Sequence, residues 1–255
     1  MDLKYEEIKS YTKGLSRERL LEIIPRLLED ERSTVRALGK KLQNRIKKEA
    51  KEYERINRMK EIERGLKQEG YILIAGIDEA GRGPLAGPVA AAAVILPEGF
   101  YEQGVNDSKK LSPQRREYLY HKIIEKAVDY GLGMVDSHEI DRTNILRATY
   151  RAAAMAVDKL SKRPDCLLLD AIVLPGCDLF QKSVIKGDCK CLSVAAASII
   201  AKVSRDRFMD DLHKRYPQYN FSQNKGYGTR EHIGAIIKHG PCPFHRDTFI
   251  QSIRG

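Results

Sequence analysis

The segment YILIAGIDEAGRGPLAGPVAAAAVIL, from Tyr71 to Leu96, marks the point where the chain changes from a charged to an apolar composition. Two apolar runs, YILIAGI and VAAAAVIL, flank a stretch that is rich in glycine. Short continuous apolar runs bounded by glycine and proline are typical of buried β-strands. We therefore predict two strands joined by a glycine-rich segment.

The rest of the chain alternates between strand and helix patterns. A third strand is predicted near Gly131 to Val135, and two further apolar runs end at Asp170 and Asp188. A long helix is predicted from about Ser193 to Tyr216, where Pro217 stops it. Strands interleaved with helices indicate the α/β class, with a mostly buried sheet.

Two more helices complete this part of the prediction. The alanine-rich stretch 140–160 has the composition of a closely packed helix. Thr229 is a suitable N-cap for a last helix, which Gly240 would end.

The first part of the chain, residues 1–70, is predicted to be a helical, basic extension of an α/β domain that spans 71–255. Apolar residues recur in steps of three and four between Ser33 and Gly70, which predicts one long helix with these residues as its cap and its end. Pro25 is expected to start or kink an earlier helix. Two roles remain open for the extension: a solvated face of mixed charge, or a basic arm that contacts a nucleic acid backbone.

Composition narrows the classes of partner and compartment. The 255 residues carry a net charge of +10 and have a pI of about 9.3, which favours a polyanionic partner such as nucleic acid. The N-terminal sequence lacks an apolar signal-peptide centre, and the longest apolar run, from Val89 to Leu96, is far shorter than the ~20 residues of a spanning helix. We expect a cytoplasmic monomer without membrane contact. The five cysteines are an odd number without a secretion signal, which argues against a disulfide framework. They include no C-x-x-C pair and lack the usual four-ligand spacing, which argues against a zinc site.

Three of the apolar runs end in acid, and the residues concerned are Asp78 with Glu79, Asp170, and Asp188. Each alone is typical of a turn or a helix cap. If the ends of the strands are adjacent, however, four carboxylates converge, and their repulsion requires a neutralising cation. Oxygen ligands without a nearby set of cysteines and histidines favour Mg²⁺ or Mn²⁺. Two such ions, roughly 4 Å apart, are a common device for phosphodiester hydrolysis.

The adjacency of Asp78 and Glu79 raises a geometric difficulty. Neighbouring residues on a strand point to opposite faces of the sheet. The two carboxylates share a site only if the strand ends or bends near Ala80 and Gly81; otherwise one of them acts through its backbone carbonyl or indirectly. The absence of a G-x-x-x-x-G-K-[ST] loop and of an H-E-x-x-H motif argues against nucleoside triphosphate hydrolysis and a zinc peptidase site.

The glycine–arginine–glycine stretch, from Gly81 to Gly83, also permits two interpretations. One is a tight turn. The other is a bare backbone that a ligand approaches closely, which next to a metal–phosphate site would be a sugar and its phosphate. Backbone N–H and C=O groups suit a ribose 2′-hydroxyl, which is both a donor and an acceptor.

At this point the sequence resembles a known family, ribonuclease HII, the type 2 ribonucleases H. The resemblance runs from Tyr71 to about Phe249 and rests on several motifs in the family's order. These are GIDEAGRGPLAGPV (Gly76–Val89), NDSKKLS (Asn106–Ser112), LLLDA (Leu167–Ala171), KGDCKCLSVAAASIIAKVSRD (Lys186–Asp206) and GYGTREH (Gly226–His232). The motif DEAGRG favours type 2 over the related type 3 enzymes, and Ala171 stands where family members often carry glycine.

The resemblance implies a ribonuclease H-like fold, a central mixed sheet flanked by helices, with the N-terminal helical extension outside the family core. It implies a site for Mn²⁺ or Mg²⁺, used in a two-metal mechanism, whose catalytic ligands are Asp78, Glu79, Asp170 and Asp188. It also implies substrate contacts by Gly81, Arg82, Gly83, Ser108, Lys109, Lys110, Ser193 and Tyr227. Tyr227 would stack on the deoxyribose that follows the ribonucleotide. Ser193, Lys202 and Arg205 either support the site or contact the strand, two roles that the sequence leaves open.

The activity that the resemblance implies is that of a metal-dependent endoribonuclease. It would hydrolyse the phosphodiester 5′ to ribonucleotides in RNA–DNA hybrids, and 5′ to single ribonucleotides embedded in duplex DNA, leaving a 3′-hydroxyl and a 5′-phosphate. Primer removal and ribonucleotide excision are the expected roles. Two alternatives are another nuclease of the same fold, such as a type 3 enzyme or a resolvase, and a binding module without catalysis. None of the four carboxylates is missing, which argues against the binding module.

Overall fold

A computed structural model describes residues 3–254 of the chain. The chain divides into two compact units, Met1–Asn57 and Arg58–Gly255. The predicted domain boundary at residue 70 was set by composition, and it stays a prediction.

The first unit is helical. It contains α1 (Tyr5–Lys13), α2 (Arg17–Leu28) and most of α3 (Ser33–Met59). Its core is a single apolar cluster, which consists of Ile8, Leu20, Ile24, Leu27, Val35, Leu38, Leu42 and Ile46. Pro25 lies inside α2 rather than at its start.

The long helix predicted from Ser33 to Gly70 is interrupted. α3 ends at Met59, and a separate helix, α4 (Glu61–Gln68), follows. Lys60 lies between them with φ −94° and ψ −5°, and its carbonyl accepts the first hydrogen bond of α4 from Arg64. Apolar periodicity continues through this break, so the sequence pattern did not reveal it.

The second unit is built on a five-stranded mixed sheet with the order β3-β2-β1-β4-β5. The strands are β1 (Ile74–Ala80), β2 (Val89–Ile95), β3 (Asp129–Val135), β4 (Cys166–Asp170) and β5 (Phe180–Val184). The first three strands pair antiparallel, whereas β1 with β4 and β4 with β5 pair parallel. The predicted α/β class with a central mixed sheet is confirmed.

Eight further helices accompany the sheet in the described residues of this unit. They are α5 (Pro113–Lys126), α6 (Ser137–Arg142), α7 (Ile145–Asp158), α8 (Gly187–Lys190), α9 (Leu192–Arg215), α10 (Phe221–Asn224), α11 (Arg230–His239) and α12 (Asp247–Arg254). α9 agrees with its prediction to within one residue at each end, and the side chain of Thr229 caps α11 by accepting from the backbone N–H of His232. The stretch 140–160 contains two helices rather than one. Across residues 3–254, no helix combines the length and apolar character needed to cross a membrane.

The two central helices cover opposite faces of the sheet. On the first face, Ala75 and Ile77 pack in one cluster with the alanines of α7. On the second face α9 approaches so closely that a Cβ on Gly76 would lie 2.2 Å from the backbone carbon of Ser193. Since side chains alternate along a strand, Asp78 shares the face of Gly76 and points toward α9. This contact brings α9 within reach of the first predicted carboxylate.

Candidate active site

Two predicted carboxylates lie side by side at one edge of the sheet. In the parallel pairing of β1 with β4, Ile77 is opposite Leu169, so the next residues, Asp78 and Asp170, occupy neighbouring positions. Both point to the α9 face, where the side chain of Ser198 opposes the rise in the pKa of Asp78.

The third carboxylate, Asp188, reaches the same edge by a different route. The strand predicted to end at Asp188 in fact ends at Val184, and this part of the prediction is wrong. Lys186 adopts a left-handed conformation, with φ +59°, that turns the chain into the short helix α8. The backbone N–H of Gly187 then donates to the Oδ1 atom of Asp170 over 2.9 Å. Asp188 is therefore the next residue after Gly187, whose backbone N–H is hydrogen-bonded to Asp170.

Glu79 lies on the opposite face of β1 from Asp78. The strand neither ends nor breaks between them, because Asp78, Glu79 and Ala80 all pair with β2. β4, however, ends level with Asp78, and the chain leaves the sheet at Ala171, with φ +54°. The sheet therefore does not continue beside Glu79 on that side, and its carboxylate interacts electrostatically with that of Asp170.

One oxygen atom of Glu79 has no hydrogen-bond partner among residues 3–254. Its Oε1 atom lies 3.2 Å from the Nη1 atom of Arg82. Its Oε2 atom is buried and accepts no hydrogen bond from any residue among 3–254. A buried carboxylate oxygen without a donor is unfavourable, because it loses its hydration and gains nothing in return.

The electrostatics of this edge disfavour ionised carboxylates. Burial, and next the neighbouring charge of Glu79, hold the pKa of Asp78 well above its ordinary value. Burial also raises the pKa of Glu79, although the guanidinium of Arg82 opposes the shift. Burial and the charges of Asp107 and Asp170 raise the pKa of Asp188. Burial, and next the closeness of the carboxyl groups to one another, therefore disfavour their ionised forms.

Asp107 is a carboxylate that the sequence prediction missed. It is buried, and its side chain offers an oxygen within 4.8 Å of ligand atoms on Asp188 and Cys189. It also accepts the backbone N–H of Lys109 at 2.9 Å. The motif NDSKKLS contains this residue, so its place directly before the predicted phosphate contacts was the available signal.

The two predicted lysines are exposed beside the carboxylates. Partial burial lowers the pKa of Lys109, but the charges of Asp78, Asp107 and Asp188 outweigh it, and the net shift is upward. The Nζ atom of Lys110 lies 3.1 Å from the Sγ atom of Cys189. Lys109 is therefore a positive charge next to the carboxylates at this end of the sheet, which we call the acidic edge: Asp78, Glu79, Asp170 and Asp188.

The two predicted serines are buried and bonded within the protein. The Oγ atom of Ser108 lies 2.9 Å from that of Ser198, whose side chain affects the pKa of Asp78. Ser193 donates its backbone N–H and its hydroxyl to the Oε1 atom of Glu63, at 3.0 and 2.8 Å. These hydroxyls support the carboxylate edge and the start of α9, and their contact with substrate stays a prediction.

The glycine–arginine–glycine stretch forms a loop directly after β1. Gly81 has φ +92°, and a Cβ there would lie 2.0 Å from the Nε atom of Arg205. Gly83 is exposed, and a Cβ there would meet only the ring of Tyr227, at 3.9 Å. Gly83 and Tyr227, which are distant in sequence, are therefore neighbours at the surface.

Two fully buried arginines hold this loop by hydrogen bonds to its backbone carbonyls. Arg205 donates to the carbonyls of Pro88, Ala86 and Lys225. It therefore supports the loop, which answers the question that the sequence left open for this residue. Arg246, which the sequence analysis missed, donates to three carbonyls, those of Gly81, Arg82 and Gly87.

Burial lowers the pKa of Arg246 to about 9 and that of Arg205 to about 10, so both guanidinium groups keep their charge at neutral pH. Lys202, the third residue with an open role, donates to the Oδ1 atom of Asp206 over 2.6 Å.

Comparisons with known proteins identify the family of this chain. The family model "Ribonuclease HII" matches residues 75–252, and "Ribonuclease HII N-terminal domain" matches residues 6–67. Ribonuclease HII of Clostridioides difficile is 47% identical over 252 residues, which is 99% of both chains, and that of Caldanaerobacter subterraneus is 52% identical over 80% of this chain and 84% of its own. The crystal structure of ribonuclease H2 from Pyrococcus horikoshii superposes with a TM-score of 0.60 at 30% identity, covering 71% of this chain and 97% of that one. The chain therefore belongs to the ribonuclease HII family and is a ribonuclease H, a hydrolase of the nuclease class.

Proposed function

We propose that this ribonuclease H is a metal-dependent endonuclease that cuts the phosphodiester 5′ to a ribonucleotide, in RNA–DNA hybrids and at single ribonucleotides in duplex DNA. The products are a 3′-hydroxyl and a 5′-phosphate. The observation that carries the proposal is the acidic edge, where three carboxyl groups with raised pKa values lie beside a loop of exposed backbone.

The residues at this edge suit divalent cations. Their donor atoms are hard carboxylate oxygens, and the buried Oε2 atom of Glu79 needs a positive partner that residues 3–254 do not provide. We propose that Asp78, Glu79, Asp170 and Asp188 hold Mg²⁺ or Mn²⁺. When bound, a pair of such ions supplies an activated water and neutralises the charge of the leaving oxygen.

The protein's own groups then position the substrate. Lys109 remains protonated at neutral pH because the carboxylates raise its pKa, so it can bind a phosphate next to the acidic edge. Lys110 and Arg82 are also exposed and add positive charge for phosphate contacts. Ser108 and Ser193 are buried and support the site through their hydrogen bonds to Ser198 and Glu63.

Recognition of the ribose is assigned to the loop and to Tyr227. The loop carbonyls of Gly81 and Arg82 are held by Arg246, so the exposed backbone at Gly83 has a fixed conformation to present to a 2′-hydroxyl. Tyr227 is 45% exposed and its ring lies against Gly83, where it can stack on the next sugar. A deoxyribose offers an apolar face to the ring, whereas a hydroxyl there would lose its hydration. This arrangement favours an RNA-to-DNA step.

A cleavage assay on duplex DNA that carries one ribonucleotide tests the proposal. We expect a single nick on the 5′ side of the ribonucleotide with Mg²⁺ or Mn²⁺ and none with a chelator, and the all-DNA duplex should remain intact. Efficient cutting of long hybrids with no nick at the single ribonucleotide would contradict the proposed specificity and would indicate a type 3-like enzyme.

The raised pKa values also predict how stability depends on pH and metal. A folded state with raised carboxyl pKa values binds more protons than the unfolded chain, so the contribution of Asp78, Glu79 and Asp188 to stability decreases as pH rises from about 4 through their folded pKa values. A bound cation, at a concentration one hundred times its dissociation constant, should raise the free energy of unfolding by about 2.7 kcal/mol. Chemical unfolding of wild type and Asp78→Asn at a series of pH values, with chelator and with Mg²⁺, measures both effects. If Mg²⁺ stabilises the two proteins equally at neutral pH, the metal is not held by Asp78.

A further inference from the structure

A pair of buried histidines lies outside the acidic edge and has no role in the chemistry proposed above. His232 is the third residue of α11, and His245 lies in the loop before α12. Their Nε2 atoms are 3.0 Å apart, and both side chains are almost completely buried. The rings of Tyr219 and Phe221 pack against both imidazoles.

The hydrogen bonds of the pair fix where its protons lie. The backbone N–H of Cys242 points at the Nδ1 atom of His245 over 2.9 Å, so this nitrogen must accept. The Nδ1 atom also lies 3.3 Å from the carbonyl of Cys242, but a proton there would confront the backbone N–H, so the shorter contact decides. A neutral His245 therefore carries its proton on Nε2 and donates it to His232.

The contact with His245 also fixes where the proton of His232 lies. Since the Nε2 atom of His232 accepts, its Nδ1 atom carries the proton and donates to the carbonyl of Tyr227 over 2.8 Å. That carbonyl also accepts the backbone N–H of Thr229 at 2.8 Å. Burial lowers the pKa of His232, which keeps the imidazole in the neutral form that this chain of bonds requires.

The chain segment that supplies His245 also holds the glycine-rich loop. The next residue, Arg246, donates to the carbonyls of Gly81 and Arg82. His245 itself forms a β-bridge with Ala86, at the far end of the same loop. Arg246 thus holds the glycine-rich loop directly, and His245 holds the backbone of Tyr227 through His232.

We propose that His232 is a positioning residue, which His245 keeps in the tautomer that donates to the Tyr227 carbonyl. It fixes the ring of Tyr227 against Gly83, and so sets the spacing between the element that senses the 2′-hydroxyl and the one that stacks on the following sugar. The inference rests on the proposed role of Tyr227 for its effect on specificity. The position of the Tyr227 ring can be measured separately from cleavage specificity.

Two substitutions of His232 distinguish its hydrogen bond to the Tyr227 carbonyl, the tether, from simple packing of the ring. In His232→Asn the amide nitrogen takes the place of Nδ1, so the donor to Tyr227 is kept and the contact with His245 is lost. In His232→Gln the amide reaches the place of Nε2, so the contact with His245 is kept and the tether is lost. A packing role alone predicts that the larger Gln replaces the ring better than Asn, whereas the tether predicts the opposite.

The experiment combines NMR with cleavage kinetics. Histidine ring nitrogen shifts of the wild-type protein report the tautomers, and the nuclear Overhauser effect between the Tyr227 ring and Gly83 reports the contact in each variant. Circular dichroism checks that the variants fold. The kinetic measure is junction discrimination, the ratio of kcat/KM at a single ribonucleotide to kcat/KM within long hybrid RNA, with Tyr227→Ala as the reference for its loss.

We expect an Nδ1-protonated His232, an Nε2-protonated His245, and a Tyr227–Gly83 contact that survives in His232→Asn and disappears in His232→Gln. Junction discrimination should fall about ten-fold in the Gln variant, the value of one hydrogen bond. An Nε2-protonated His232, or a contact that persists in His232→Gln, would overturn the inference. The wild-type tautomers decide the matter even if a variant fails to fold. If the contact is lost but discrimination is unchanged in both His232→Gln and Tyr227→Ala, the positioning stands and the stacking role of Tyr227 fails.

Discussion

Asp78→Asn is expected to abolish cleavage while leaving the affinity for RNA–DNA hybrid largely intact. The substitution keeps the size of the side chain and its place beside Ser198, but it removes a negative charge from the centre of the acidic edge. If this carboxylate holds a cation, kcat should fall by about a thousand-fold or more, because charge stabilisation by a metal supplies several kcal/mol in the transition state. Hybrid binding depends mainly on phosphate contacts, which the substitution does not touch.

Single-turnover cleavage and fluorescence anisotropy measure the two quantities. Asp158→Asn, the same change at an exposed position near the end of α7, is the matched control and should behave as wild type. Wild-type activity in Asp78→Asn would remove the proposed metal site. A parallel loss of hybrid binding would instead assign Asp78 a structural role.

Gly81→Ala is expected to produce the second large effect, through the backbone. Gly81 has φ +92°, and its new Cβ would lie within 2.0 Å of Arg205 and 2.8 Å of the Pro88 carbonyl. The left-handed conformation is strained for alanine, and the buried guanidinium must move away from the carbonyls it supports. We expect the free energy of unfolding to decrease by about 3 kcal/mol and cleavage to decrease with it.

Gly83→Ala is the matched control for stability, because a Cβ two residues later would meet only the ring of Tyr227, at an ordinary distance of 3.9 Å. Its free energy of unfolding should remain close to that of the wild type. Urea unfolding of both variants distinguishes the two positions. Equal stability of Gly81→Ala and wild type would show that Arg205 does not constrain the loop.

Sequence patterns predicted the parts of the fold that local chemistry determines. The apolar runs gave β1, β2 and β3, and Pro217 and Thr229 marked helix boundaries that the structure confirms. The path to Asp188 was not predictable in this way. It depends on a left-handed conformation at Lys186, a residue type that gives no signal for it.

The supports of the candidate site were also beyond local patterns. Arg246 bonds to Gly81 across 165 positions of the chain, and His232 meets His245 only after the C-terminal segment returns to the loop. A lone arginine or histidine in a sequence has many ordinary roles, so neither signals such a contact. The placement of Glu79 was likewise a tertiary result, because it depends on β4 ending level with Asp78.

The most direct test is anomalous diffraction at the manganese edge from crystals soaked in Mn²⁺. We expect at least one peak about 2.1 Å from a carboxylate oxygen of Asp78, from an ion that Asp170, Glu79 or Asp188 also binds. Peaks confined to the neighbourhood of Asp107 and Cys189, or none within ligand distance of Asp78, would contradict the proposed metal site.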